Sequence, residues 1–93
     1  MLFQVHITIR IPHNADKEEI KELSAAEGQL AKKLQRKGKW RHLWRVAGKW
    51  ANISIFDVKD AEELHNILCS LPLFPYMELE ILALCRHPAS IEA

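Results

Sequence analysis

Apolar and polar side chains alternate from Leu2 to Arg10. Phe3, Val5, Ile7 and Ile9 fall on one side, and Gln4, His6, Thr8 and Arg10 on the other. A period of two with one polar side predicts a half-buried strand, which Pro12 ends. From Asp16 to Lys37 the period changes. Projected at the helical angle, Ile20, Leu23, Leu30, Ala31 and Leu34 share one narrow face, as a helix on a core requires. Asp16 with Glu19 resembles a capping pair at its start, and Gly38 suits its end.

Trp40 to Ala47 and Trp50 to Asp57 read as two strands joined by a tight turn at Gly48-Lys49. That loop sets Val46, Trp44 and His42 opposite Ala51, Ile53 and Ile55, a largely apolar side expected to meet the helices. Arg45, Leu43 and Arg41 then oppose Asn52, Ser54 and Phe56 on the side expected to face away. A one-residue slip exchanges the two faces. Asp60 to Leu71 reads as a second helix, with Asp60 and Glu63 at its start and Pro72 and Pro75 beyond its end. Met77 to Cys85 reads as a last strand, and Arg86 to Ala93 as a tail, expected to dock on a neighbouring subunit.

The order strand, helix, strand, strand, helix, strand is that of an α+β, ferredoxin-like βαββαβ fold. It has a four-stranded antiparallel sheet with both helices on one face. Residues 1–93 read as one domain of this kind. Its second sheet face is left bare, and covering it with another subunit gives a dimeric α+β barrel.

Glu27 breaks the pattern of the first helix. It lies inside the apolar arc, while every other charge of that stretch projects elsewhere. A carboxylate there is costly unless paired, hydrogen-bonded or protonated. Two readings fit. Glu27 sits at the rim and reaches solvent or an Arg, or it is a general base whose pKa is raised by burial.

Composition narrows the function classes. The 13 basic and 12 acidic residues leave a net charge of +1, without the basic footprint of a nucleic-acid binder. No apolar run approaches the roughly 20 residues of a membrane span. Cys69 and Cys85 lack metal-ligand spacing and read as free thiols of a reducing cytoplasm. His6, His13, His42, His65 and His87 are scattered, which speaks against a metal site.

Several longer runs then carry a resemblance. Met1-Leu2-Phe3, Glu27 in its helix and Leu34-Gln35-Arg36 are followed by Trp40-Arg41-His42-Leu43-Trp44-Arg45 and Phe56-Asp57-Val58. Leu71-Pro72-Leu73-Phe74-Pro75-Tyr76-Met77 and Cys85-Arg86-His87-Pro88 complete the set. In this order, from Met1 to about Ile91, they resemble the muconolactone isomerase family of the catechol branch of the β-ketoadipate pathway for aromatic breakdown. The resemblance implies a ferredoxin-like fold, a homodecamer built from dimers, and an isomerase without cofactor or metal. It implies that a proton leaves C4 of the lactone and one is delivered to C2. Glu27 matches the family's acidic position.

Around that base, Arg41 and Arg45 are candidates for the substrate carboxylate. Asn52, Ser54 and Tyr76 are candidate donors to the lactone carbonyl. Trp40, Trp44 and Phe74 are candidate apolar walls, and His42 a second proton carrier. Each has a plainer alternative: Arg41 and Arg45 pairing with Asp57 or Glu78, the tryptophans in core or interface, His42 packed on its strand, Tyr76 anchoring its turn. The expected facing also sets Glu27 against the sheet but Arg45, Asn52 and Ser54 away from the helices, so a pocket near a subunit boundary is expected. A chloromuconolactone dehalogenase and a non-catalytic small-ligand binding module are the competing functions.

Overall fold

The computed structural model describes residues 1–92. Its elements are β1 (Leu2–Ile9), α1 (Lys17–Arg36), β2 (Trp40–Arg45), β3 (Ala51–Asp57), α2 (Ala61–Ser70), a single 3₁₀ turn (Phe74–Tyr76) and β4 (Met77–Leu84). The strands form one antiparallel sheet in the order β2-β3-β1-β4, the ferredoxin-like arrangement expected from the element order. Phe3, Val5 and Ile7 of β1, Phe56 of β3, Ala31 of α1 and Leu64 and Leu68 of α2 join one buried cluster. Both helices therefore pack on the same sheet face.

The helix ends follow their local chemistry. The Asp16 carboxylate accepts the Glu18 N–H at α1's start rather than forming the reciprocal pair with Glu19. At its far end Gly38 adopts φ +77°, the left-handed region. Its N–H donates to the Gln35 carbonyl and the Lys39 N–H to the Leu34 carbonyl, a Schellman closure that turns the chain directly into β2. Asp60 caps α2 by accepting the Glu63 N–H at 2.9 Å. Glu63 accepts from the Lys59 N–H and from Lys39 Nζ. Those bonds, the Lys59 one first, hold its pKa below the usual value and tie α2 to the entry of β2.

The β2–β3 pairing is the expected one: Trp44 opposes Ile53, His42 opposes Ile55, Leu43 opposes Ser54 and Arg45 opposes Asn52. Its turn is wider than two residues. The Val46 carbonyl accepts the Lys49 N–H, Gly48 takes φ +78°, and the Val46 N–H closes the loop on the Ala51 carbonyl.

The facing is the reverse of the expectation. Ser54, Asn52 and Phe56 sit opposite the core residues Val5, Ile7 and Phe3 of β1, so they, Leu43 and Arg45 look toward the helices. Trp44, His42, Ile53 and Ile55 lie on the bare face. An irregularity between Trp40 and His42 also changes one pairing: Trp40, not Arg41, opposes Phe56. Trp40 is thereby turned inward and only 2% exposed, with its ring stacked on Phe56 at 4.9 Å. The pattern misled because the bare face is apolar too. It carries Ile53, Ile55, Leu82, Leu84 and Trp44, the last 66% exposed.

β4 ends at Leu84, one residue before the expected limit, and beyond it the described residues form only a turn at His87–Ser90. Ala93, the last residue of the expected tail, lies outside the described residues.

Candidate active site

A cleft of about 430 Å³ opens between α1 and the inner face of the β2–β3 hairpin. α1 contributes Ser24, Glu27, Gly28 and Ala31. The hairpin contributes Trp40, Leu43, Arg45, Trp50, Ala51 and Asn52, and Ile9, Leu73 and Met77 close one side. Glu27 and Arg45 thus share one pocket within one chain. The reversed facing removes the conflict that had pointed to a subunit boundary.

Glu27 is half-buried. Its Oε1 accepts the Leu73 backbone N–H at 3.0 Å; its other oxygen has no hydrogen bond among the described residues. Burial pushes its pKa above the usual carboxylate value, and the Leu73 bond pulls it part of the way back. Desolvation dominates because one backbone dipole replaces only part of a lost hydration shell. The carboxyl is held in place, with its protonated form favoured relative to a free side chain.

Arg45 lies on the opposite wall. Its guanidinium makes one long contact, 3.5 Å to the Lys49 carbonyl, and no ion pair among the described residues. Arg41 is placed differently: it lies outside the cleft wall, 3.8 Å from Asp57, the plainer of its two readings. Asn52 lines the cleft and its Oδ1 accepts the Ser54 hydroxyl at 2.6 Å. That bond leaves the Asn52 amide hydrogens for another acceptor. Ser54 itself is fully buried beneath it, so it orients Asn52 and does not reach the cleft.

Trp44 and His42 are exposed on the other sheet face, away from the cleft. Tyr76 is half-buried outside the cleft wall; its backbone anchors the 3₁₀ turn and β1, donating to the Leu73 carbonyl and accepting the Arg10 N–H. Four residues of the cleft escaped sequence reading. The Leu73 N–H is a backbone group, marked only indirectly by the proline-rich turn. Gly28 has no side chain to mark it, the Ser24 hydroxyl stands in no motif, and Trp50 looked like a strand end.

Comparisons with known proteins give the family. The family model described as muconolactone delta-isomerase matches residues 1–90. A muconolactone Δ-isomerase of Pseudomonas aeruginosa is 53% identical over 93 residues, covering all of this chain and 97% of the relative. One from Rhodococcus opacus is 46% identical over 91 residues, 98% of each chain. A crystal structure of muconolactone isomerase at 3.3 Å resolution superposes with a TM-score of 0.94 at 53% identity, covering 100% of this chain and 97% of that one. These relatives are isomerases by name and lend no support to the dehalogenase or the non-catalytic reading. A match across nearly the whole chain, with Glu27 set in a cleft in the same fold, places the chain in the muconolactone Δ-isomerase family.

Proposed function

We propose that this cleft moves the ring C=C bond of muconolactone to give 3-oxoadipate enol-lactone by a 1,3-proton shift. The observation that carries the reading is that Glu27 shares one cleft with Arg45, which makes no ion pair among the described residues. Glu27 takes the C4 proton through its free oxygen and returns it at C2. Between the two steps the substrate is a dienolate, and donors aimed at its oxygen lower the barrier. Arg45 holds the substrate carboxylate, and the Asn52 amide offers a hydrogen bond to the lactone. Leu43, Trp50 and Met77 supply apolar wall. One carboxyl serving both carbons requires no second acid, in keeping with the placing of His42 and Tyr76 outside the cleft.

The assembly follows from the bare sheet face. Exposed Trp44 and Leu82, beside Ile53 and Ile55, suit a homo-oligomer built from dimers that bury this face, up to the decamer the family resemblance implies. Exposed free Cys69 and Cys85 suit a reducing cytoplasm, where aromatic catabolism would be this enzyme's role.

Incubation of the protein with muconolactone, followed by NMR, tests the function. Conversion to the enol-lactone without added cofactor is expected. In D₂O part of the C4 proton is expected at C2, wherever its return outpaces exchange with solvent. Chloride release from the 5-chloro lactone with no turnover of muconolactone would overturn the assignment.

A further inference from the structure

One residue of the cleft wall, Trp40, carries a donor that the mechanism above leaves unused. Trp40 is 2% exposed, and its Nε1–H is covered from solvent with no hydrogen-bond partner among the described residues. A buried N–H without an acceptor is uncommon and unfavourable, because water has been stripped from it and nothing replaces it. The fold nevertheless holds it firmly. The Gly38 closure of α1 feeds Trp40 into β2, the backbone irregularity after it turns the ring inward, and stacking on Phe56 fixes its plane.

Trp40 belongs to the wall that also contains Glu27, Asn52 and Arg45. We propose that its indole N–H is a catalytic hydrogen-bond donor to the lactone carbonyl oxygen, the atom that becomes negative when Glu27 removes the C4 proton. The inference rests on the isomerase reading. The chemistry of the group suits this role. An indole N–H only donates, carries no charge that would bind the ground state strongly, and strengthens its bond as the acceptor gains charge. Once the substrate is bound, a donor whose ring is held by the fold need not reorganise during the chemical step. Of the other donors at this wall, the Leu73 N–H is already occupied by Glu27, and the Asn52 amide is left to bond the lactone beside Trp40. Nε1 is covered here, so the proposed bond requires a small outward shift of the wall on binding. Leu43 and Arg45, exposed side chains on the sheet-edge strand β2, allow that shift at little cost.

The test replaces Trp40 by β-(3-benzothienyl)alanine, in which sulfur stands in place of Nε1–H and the ring keeps its size. With muconolactone, kcat is expected to fall by roughly 10²–10³-fold, the usual loss for one such donor. KM should change little, and the melting temperature should stay or rise because an unpaired N–H has gone. A folded variant with kcat within about twofold of wild type overturns the proposal, as does a loss that only follows the folded fraction. In the wild-type protein, a saturated lactone carboxylate that cannot isomerise should move the Trp40 indole N–H resonance downfield. An unmoved Trp40 resonance at a concentration that fully inhibits turnover overturns it as well. Wild-type protein inactive on muconolactone would overturn the isomerase reading and this inference together, whereas the outcomes above strike the inference alone.

Discussion

Arg45 and Trp44 are neighbours in the chain, and the sheet sends them to opposite sides. Arg45 looks inward with Asn52 and shares the cleft with Glu27; Trp44 looks outward with Ile53 and His42. Among the described residues, the inner side combines one half-buried carboxyl, one guanidinium without an ion pair and polar groups whose hydrogen bonds are incomplete. The outer side is apolar but exposed. Unspent polar capacity marks where a small molecule is handled, and unspent apolar area marks where protein is expected to pack. Polarity, read alone, would have exchanged the two.

The contrast between the two sides is broken most severely through Glu27. Glu27→Gln keeps the shape and the acceptor for Leu73 but removes the base. Turnover of muconolactone should fall by roughly 10²–10⁴-fold, with assembly unchanged. Folding raises this carboxyl's pKa, so the folded state holds the proton more tightly than the unfolded one. The charged form therefore costs stability above the folded pKa, and at neutral pH the Gln variant should melt no lower than wild type. For the same reason wild-type kcat/KM should rise with pH through an apparent pKa above the about 4.3 of an unperturbed Glu side chain. A folded Gln variant with near-normal turnover would remove Glu27 from the mechanism.

The next effect separates two arginines. Arg45→Met should lower kcat/KM about tenfold or more, since one charge-assisted hydrogen bond contributes roughly 1.5–3 kcal/mol. Arg41→Met, which loses only an exposed contact with Asp57, should stay within about twofold. Equal losses in steady-state kinetics would mean that the carboxylate is not held by the cleft arginine.

On the outer side the expected readout is mass. The pair Trp44→Asp and Leu82→Lys places charge on the bare face, and light scattering should show a smaller species with its far-UV circular dichroism retained. A wild-type protein that is monomeric at micromolar concentration would refute the assembly itself.

Two glycines give the smallest effects, of opposite sign. Gly28 lies mid-helix at the cleft, and an added Cβ there would meet nothing within 4 Å. Gly28→Ala should stabilise by about 0.5–1 kcal/mol through helix propensity. Gly38→Ala meets equally open space but at φ +77°, and should destabilise by roughly 1–2 kcal/mol. For a chain of this size either change is a shift of several degrees in thermal melts. Gly38 is also the hinge that delivers Trp40 to the cleft wall, so its strain is felt beside the site.

Local periodicity by itself determined the elements, their order and hence the fold class, because strand and helix periods and their caps depend on residues close in the chain. It also isolated Glu27, since a charge inside an apolar arc is visible without any partner. The pairing register of β2 and β3 followed from the glycine turn. What only the tertiary structure decided was which face of that hairpin meets the helices. Both faces carry apolar side chains, so polarity does not choose between them; pairing of Phe56, Ser54 and Asn52 with the core residues of β1 does, and the irregularity after Trp40 adds that ring to the same side. With that decision came the rest of the site: Arg45 rather than Arg41, Asn52 oriented by Ser54, and the Leu73 N–H on Glu27 across 46 residues of chain. Contacts at such separation are selected by the packing of whole elements, which local pattern does not encode.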